Sequence, residues 1–202
     1  MTKIIFIHIP KTGGSSLNGL LRRKGISVKD HNIRDPNFKY LKQIPREESE
    51  IRFCIVRNPF DRVVSAFFYL SKGGNCKEDL EDAKNYNILK YKGDFELFVK
   101  NEFYDNSPIF EQIHFKEQYK WICDDDGNLL VDEVLSFENL KDNVKYFLKK
   151  NKINTWSWRF PHRNKSKHSH YSSYYTEETK KIIAKVYETD FKLFHYSSEK
   201  LI

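Results

Sequence analysis

Two short segments of this chain combine residue types that bind anions. The first is His8-Ile9-Pro10-Lys11-Thr12-Gly13-Gly14-Ser15-Ser16. Its glycines let the backbone approach a ligand closely, Lys11 adds a mobile cation, and the hydroxyls of Thr12, Ser15 and Ser16 add donors. A Gly-rich turn that opens a helix also aims backbone N–H groups at one point, with the positive end of the helix dipole behind them, so phosphate or sulfate is the matching ligand. Lys11 precedes the glycines, which is not the GxxxxGK[ST] order of a loop built for ATP and magnesium. An ordinary strand-to-helix turn with an exposed lysine accounts for the Gly-Gly pair equally well. The second segment shifts that balance. Arg57 closes another apolar run, and Ser65 lies within the first two turns of the helix predicted to follow, so a guanidinium and a hydroxyl are available to a second phosphate.

The elements that must hold these residues are legible as strand–turn–helix units. Ile4-Ile5-Phe6-Ile7 is a β-branched and aromatic run without alternation, which reads as a strand buried on both faces of a parallel sheet. After the turn, Ser15 or Ser16 is the expected N-cap of a helix that carries Leu17, Leu20 and Leu21 on one face, runs to about Arg23 and is stopped by Gly25. Phe53-Cys54-Ile55-Val56 repeats the pattern, followed by Arg57-Asn58-Pro59 and a helix bearing Val63, Val64, Phe67 and Phe68; Asp61-Arg62 reads as a solvated or locally paired couple. Two such units predict an α/β fold, a single domain with a central parallel β-sheet flanked by helices, whose ligands gather at the carboxyl ends of the strands. Farther on, Trp121-Ile122-Cys123 and Leu129-Leu130-Val131 flank Asp124-Asp125-Asp126-Gly127-Asn128 and suggest a hairpin. Helices are predicted over about 140–149 and 177–194, the second capped by Thr176 and carrying a core stripe of Ile182, Ile183, Val186 and Tyr187. Residues 71–107, rich in Lys, Asn, Asp and Gly, read as a lid or insertion within a domain spanning 1–202.

Composition narrows the function classes. With 202 residues, 39% hydrophobic and 15% aromatic, the chain can bury roughly 70% of its unfolded surface without disulfides or a structural metal, which argues against disorder. Cys54, Cys76 and Cys123 are odd in number and never in CxxC spacing, which suits a reducing compartment and suggests no zinc site. No signal-like segment precedes the first apolar run, and that run is too short to span a membrane, so the expectation is a cytoplasmic protein with no membrane insertion. The 35 Lys and Arg against 28 Asp and Glu give a net charge of +7, spread along the sequence with short clusters such as Asn164-Lys165-Ser166-Lys167-His168. That distribution favours a small anionic ligand over a nucleic-acid arm.

With these residues in view, the chain resembles the sulfotransferases that use 3'-phosphoadenosine 5'-phosphosulfate (PAPS), in particular the carbohydrate branch that includes the uronyl 2-O-sulfotransferases and small bacterial members. The likeness rests on Phe6 to Ser16, which looks like the 5'-phosphosulfate loop, and on Ile55 to Ala66, which looks like the 3'-phosphate strand and helix. Further matches are Asp126 to Asp132, Phe137-Glu138-Asn139-Leu140, and Asn164 to His168 followed by Tyr174-Tyr175. Residues 71–107 have no counterpart. The resemblance implies a P-loop-kinase-like topology. It also implies a donor whose 5'-phosphosulfate is surrounded by Pro10, Lys11, Thr12, Gly13, Gly14, Ser15 and Ser16, and whose 3'-phosphate is held by Arg57 and Ser65. Lys165 and Ser166 fall where relatives close over the donor, and a solvated basic loop is the competing reading.

The implied reaction is in-line sulfuryl transfer to an acceptor hydroxyl or amine, which asks mainly for positioning and charge stabilisation, with Lys11 as electrostatic catalyst. A general base is needed. His31, between the two donor motifs, is the candidate by position, although Asn32-Ile33-Arg34 after it departs from the small residues of relatives. His114, in His114-Phe115-Lys116-Glu117-Gln118, resembles a segment that lines the acceptor cleft and is the second choice, as a substrate-binding residue; His8 reads as a hydrogen-bonded structural residue. No histidine has metal-ligand spacing, and the resemblance implies no metal. The expected partners are thus the small-molecule donor and a carbohydrate acceptor, with no nucleic acid. Two rivals stand beside this reading: a P-loop-type nucleotide kinase or other phosphotransferase, and a non-catalytic basic module that binds anionic glycan or nucleic acid.

Overall fold

Apolar runs broken by glycine turns fold here into alternating strands and helices. The structure, a computed structural model, describes residues 3–29, 39–154 and 169–201, with the backbone alone for Ser15 and Ser16. In chain order the elements are β1 (Lys3–Ile7), α1 (Gly14–Arg23), β2 (Ser27–Lys29), β3 (Glu50–Val56), α2 (Pro59–Leu70), α3 (Lys77–Asn85), α4 (Phe95–Glu102), α5 (Tyr119–Ile122), β4 (Glu133–Ser136), α6 (Leu140–Lys150), α7 (Glu177–Val186) and α8 (Glu188–Leu193), joined by loops and short 3-10 turns. Contacts group the chain into two compact units, residues 1–57 with 118–165 and residues 58–117 with 166–202.

The first unit is built on a four-stranded, all-parallel sheet of order β2-β1-β3-β4, the α/β architecture expected from the two buried runs. Phe6 pairs with Phe53 and Ile55 with Leu135, so these side chains share one face, where Leu17, Leu20 and Leu21 of α1 and Val144, Phe147 and Leu148 of α6 cover them. The rings of Phe53 and Phe147 lie 4.1 Å apart, which ties α6 to the middle of the sheet. At the amino end of β3, the buried Glu50 and Arg52 form an ion pair. Arg52 also donates to the Pro45 carbonyl at 2.9 Å, so its charge is compensated inside the fold. Asp132 accepts the Arg52 N–H at 2.8 Å and, with its own N–H on the Arg52 carbonyl at 2.8 Å, leads β4 into register.

Several local expectations change. The start of α1 lies at Gly14 with Gly13 as its N-cap, so neither Ser15 nor Ser16 caps it. The hairpin around Asp124–Asn128 is reduced to one antiparallel bridge, Cys123 to Leu129, because the residues before it form α5. Asp124 explains the turn: its Oδ1 accepts the N–H groups of Asp126 at 3.0 Å and Asn128 at 2.8 Å, and the Asn128 side-chain amide, followed by these backbone bonds, holds its carboxyl below the usual range. The predicted helix over 177–194 is two helices meeting at Tyr187.

The second unit is helical and aromatic. Asn58 caps α2 by accepting the Phe60 N–H at 2.9 Å, with Pro59 at the first helical position, where its missing N–H costs nothing. Nearly every side chain of α2 is buried, including Arg62 at 1% exposure, whose Nη1 donates to the Lys116 carbonyl at 2.9 Å; it is an interior residue, which overturns the solvated reading of the Asp61-Arg62 couple. Residues 71–107 carry α3 and α4, and place Ala83, Ile88, Tyr91, Phe95, Phe98 and Val99 in the core of this unit. Their polar composition belongs to the outer faces. Thr176 caps α7 as expected, and Ile183 and Tyr187 of the predicted stripe are fully buried. The Tyr187 hydroxyl donates to the Phe115 carbonyl at 2.5 Å, and that of Tyr175 to the Phe60 carbonyl at 2.9 Å.

Burial pushes the phenols of Tyr187 and Tyr175 well above their ordinary value. A group whose folded pKa is raised contributes stability below its unfolded pKa, about 10 for tyrosine, and that stability is lost as pH rises above it. Urea unfolding is therefore expected to show stability falling from about pH 9 to about pH 11. Tyr187→Phe should cost about 1–3 kcal/mol at neutral pH by stranding the Phe115 carbonyl, and should make the alkaline loss shallower. An unchanged alkaline slope in the variant would remove Tyr187 from this account.

Candidate anion-binding site

The turn after β1 has a left-handed residue on each side of Thr12, Lys11 at φ 68° and Gly13 at φ 83°. A lysine in that region costs on the order of 1 kcal/mol or more and persists only where its surroundings fix it. Thr12 is one source of that constraint: it is fully buried and its hydroxyl donates to the Ile9 carbonyl at 2.9 Å. Its hydroxyl proton is therefore spent within the turn, and what Thr12 brings to a ligand is shape. Backbone turned in this way makes anion-binding concavities. Behind it, α1 opens with no side-chain cap and no acidic residue in its first turn, which leaves the positive end of its dipole facing the loop.

Both glycines are held against side chains. A Cβ on Gly14 would lie 2.1 Å from Cδ2 and 2.4 Å from Nε2 of His8. One on Gly13 would lie 2.9 Å from both Phe137 Cε2 and Leu140 Cδ2. His8 is buried, stacks on Phe6 with centroids 5.8 Å apart, and has its Nδ1 3.4 Å from the Asn18 amide nitrogen on α1. Its backbone N–H donates to the Lys29 carbonyl at 2.9 Å. The structural role expected for His8 is thus to back the loop and tie β1, β2 and α1 together.

Arg57 reaches the same loop from the carboxyl end of β3, the neighbour of β1 in the sheet. Its Nη1 donates to the Lys11 carbonyl at 3.1 Å, and its guanidinium lies 4.2 Å over the Phe137 ring. Its backbone is gripped by Gln118, whose Oε1 accepts the Arg57 N–H and whose Nε2 donates to the Arg57 carbonyl, both at 2.9 Å. Phe137 in turn donates its N–H to the Val56 carbonyl at 2.8 Å. The chain leaves β1 toward β2 on one side and places β3 on the other, so the loop and Arg57 flank a topological switch point, where open parallel sheets take their ligands.

Of the residues named from sequence, Pro10, Lys11, Thr12, Gly13, Gly14 and Arg57 come together in the first unit, and Ser15 and Ser16 form the opening turn of α1. Ser65 is buried on α2 in the second unit. His114 is also buried there: its N–H donates to Gln112 Oε1 at 2.7 Å, its Nδ1 lies 2.9 Å from Gln112 Nε2, and its ring is 5.3 Å from that of Tyr69. His31, Lys165 and Ser166 lie outside the described residues. Sequence reasoning assigned no role to Gln118 or Phe137. The signal for Phe137 was present in Phe137-Glu138-Asn139-Leu140, since both apolar ends of that motif pack on Gly13. Among the described residues no three or more His, Cys, Asp and Glu are grouped to hold a metal ion, and no helix is long and apolar enough to cross a membrane.

The contact between Gly14 and His8 makes a reciprocal prediction. Gly14→Ala is expected to destabilise the fold by about 1–3 kcal/mol in urea unfolding, and a second change, His8→Ala, to recover part of that loss by vacating the space. Gly19→Ala, whose Cβ would meet nothing closer than Arg23 Nη1 at 3.6 Å, should be neutral or stabilising by up to about 1 kcal/mol. Strict additivity of the His8 and Gly14 changes would contradict the packing.

Comparison with known proteins agrees with the chemistry of this site. No curated protein and no solved structure matches the chain. A family model described as the sulfotransferase family matches residues 1–197. With a match that takes in the loop after β1, Arg57 and nearly all the rest of the sequence, the chain belongs to the sulfotransferase family.

Proposed function

We propose that the chain transfers a sulfuryl group from PAPS to an acceptor hydroxyl on a carbohydrate or glycoconjugate, in the cytoplasm. Membership of the sulfotransferase family supplies the reaction class. The observation that carries the donor is the bond from Arg57 to the Lys11 carbonyl, which sets a fixed guanidinium beside a left-handed, Gly-backed loop at a helix start. Two anionic ends on one small molecule match such a pair of cationic turns.

In this reading the loop from Pro10 to Ser16 takes the 5'-phosphosulfate and Arg57 takes the 3'-phosphate. Ser65 joins Arg57, and Lys165 and Ser166 close over the donor, on the strength of the resemblance. The acceptor oxygen attacks sulfur as the bond from sulfur to the bridging oxygen breaks. The electron pair leaves on the phosphate of adenosine 3',5'-bisphosphate, and the acceptor proton passes to a base, for which His31 is the candidate. His114, buried against Gln112, is proposed to shape the acceptor side. Lys11 stabilises charge on the bridging oxygen, its backbone held in the left-handed turn that the Arg57 guanidinium bonds.

Transfer from sulfur-labelled PAPS to a panel of neutral and uronate-containing saccharides tests this. Label is expected on a saccharide hydroxyl, and Lys11→Ala is expected to lower kcat by about a hundredfold or more while changing donor affinity far less. Label transfer that survives Lys11→Ala unchanged, or appears on no saccharide, would overturn the assignment of catalyst or acceptor respectively.

A further inference from the structure

The charge surplus is dispersed in sequence but gathered by the fold. Helices α1 and α6 cover the same face of the sheet, and their outer surfaces carry Arg22, Arg23 and Lys24 from one, Lys141, Lys145 and Lys149 from the other, and Lys152 just beyond it. All are exposed except the half-buried Lys24. The only carboxylate on either helix is Asp142, so beside these seven cations the two helices leave a local surplus of six positive charges. None of the seven cations forms an ion pair among the described residues. Several lysines elsewhere are paired, among them Lys42 with Asp125, Lys100 with Glu96 and Glu178, Lys185 with Asp105, and Lys192 with Glu188.

We propose that this face is a docking surface for an anionic phospholipid bilayer, an inference independent of the reading of the donor site. Lys141, Lys145 and Lys149 follow one another every fourth residue and make a row about 12 Å long on the outside of a helix. A field of ammonium and guanidinium groups spread over the outsides of two helices suits a broad planar array of charge. Three nearby amides are committed within the fold: Asn18 faces His8, Asn143 donates to both Ser136 oxygens at 3.0 Å, and Asn151 donates to the Phe147 carbonyl at 2.9 Å. Tyr146, at 68% exposure, stands among the lysines, and a phenol with an apolar ring and a polar tip fits the level of lipid headgroups. Clusters of this size on a helical surface bind anionic lipid through electrostatics alone. Because α1 begins at Gly14 and α6 at the Leu140 that packs on Gly13, a bilayer on this face would keep the anion-binding loop at its edge.

Co-sedimentation with phosphatidylcholine vesicles, with and without about one-third phosphatidylserine, tests the proposal. The chain is expected to sediment with the anionic vesicles only and to be released at about 1 M salt, where screening shortens to about 3 Å. Lys141→Glu, Lys145→Glu and Lys149→Glu together should lower partitioning roughly a hundredfold. The same charge removed from the second unit, by Lys77→Glu, Lys185→Glu and Lys192→Glu, should change it by less than about fivefold. Circular dichroism and melting midpoints check both variants, and the three Lys→Gln changes, expected to lose at least about tenfold, replace the reversal if it fails to fold. Equal losses in the two triple variants, equal sedimentation with neutral vesicles, or none at all would overturn the proposal. So would tighter binding of heparin or oligo-thymidine than of vesicles through the same three lysines.

Discussion

The guanidinium of Arg57 donates to the Lys11 carbonyl at 3.1 Å while lying 4.2 Å over the Phe137 ring, and the candidate site depends on that junction. It joins the turns at the ends of two neighbouring parallel strands. Without it, the left-handed Lys11 would have one fewer constraint holding it in a conformation that lysine disfavours. Gln118 completes the arrangement by binding both backbone groups of Arg57, so that the side chain is fixed at its root as well as at its tip. A charged group held in advance needs little reorganisation when an anion arrives, and this is the condition under which electrostatic stabilisation is most effective.

The packing beneath the site serves the same end. Gly13 lies on Phe137 and Leu140, and Gly14 on His8, so the loop is pressed against a floor supplied by β1 and by the start of α6. Phe53 and Phe147 connect that floor to the centre of the sheet. The second unit has a different economy, in which aromatic rings fill the core and buried hydroxyls, such as Tyr187 on Phe115 and Tyr175 on Phe60, end on backbone carbonyls. Each bond satisfies an acceptor that would be costly to strand away from water.

What could be read from the sequence was what rests on local pattern. The buried runs at Ile4–Ile7 and Phe53–Val56, the glycine stop at Gly25 and the Thr176 cap all act within a few residues, and all are found. Strand β4 was missed because only Leu135 of its four residues is buried, which gives no run and no alternation. The serine caps predicted for α1 gave way to Gly13, since a left-handed glycine already closes the turn tightly. The solvated reading of Arg62 fails because burial of a guanidinium depends on a carbonyl 54 positions away. Likewise the pairing of Arg57 with Lys11, 46 positions apart, has no trace in spacing, although both residues were named. The concentration of charge on α1 and α6 is the clearest case, for it appears only once the fold lays both segments on one face of the sheet.

The central claim is that the two turns together form one site for a doubly anionic adenosine donor. Calorimetric titration with adenosine 3',5'-bisphosphate, beside adenosine 5'-monophosphate and ATP, without and with magnesium, addresses it most directly, with Arg57→Ala as the companion. Metal-independent binding of the bisphosphate at least about tenfold tighter than the other two, a difference of about 1.4 kcal/mol, with that preference lost in Arg57→Ala, is the predicted result. Equal binding of all three nucleotides, a requirement for magnesium, or selectivity unchanged by Arg57→Ala would contradict it.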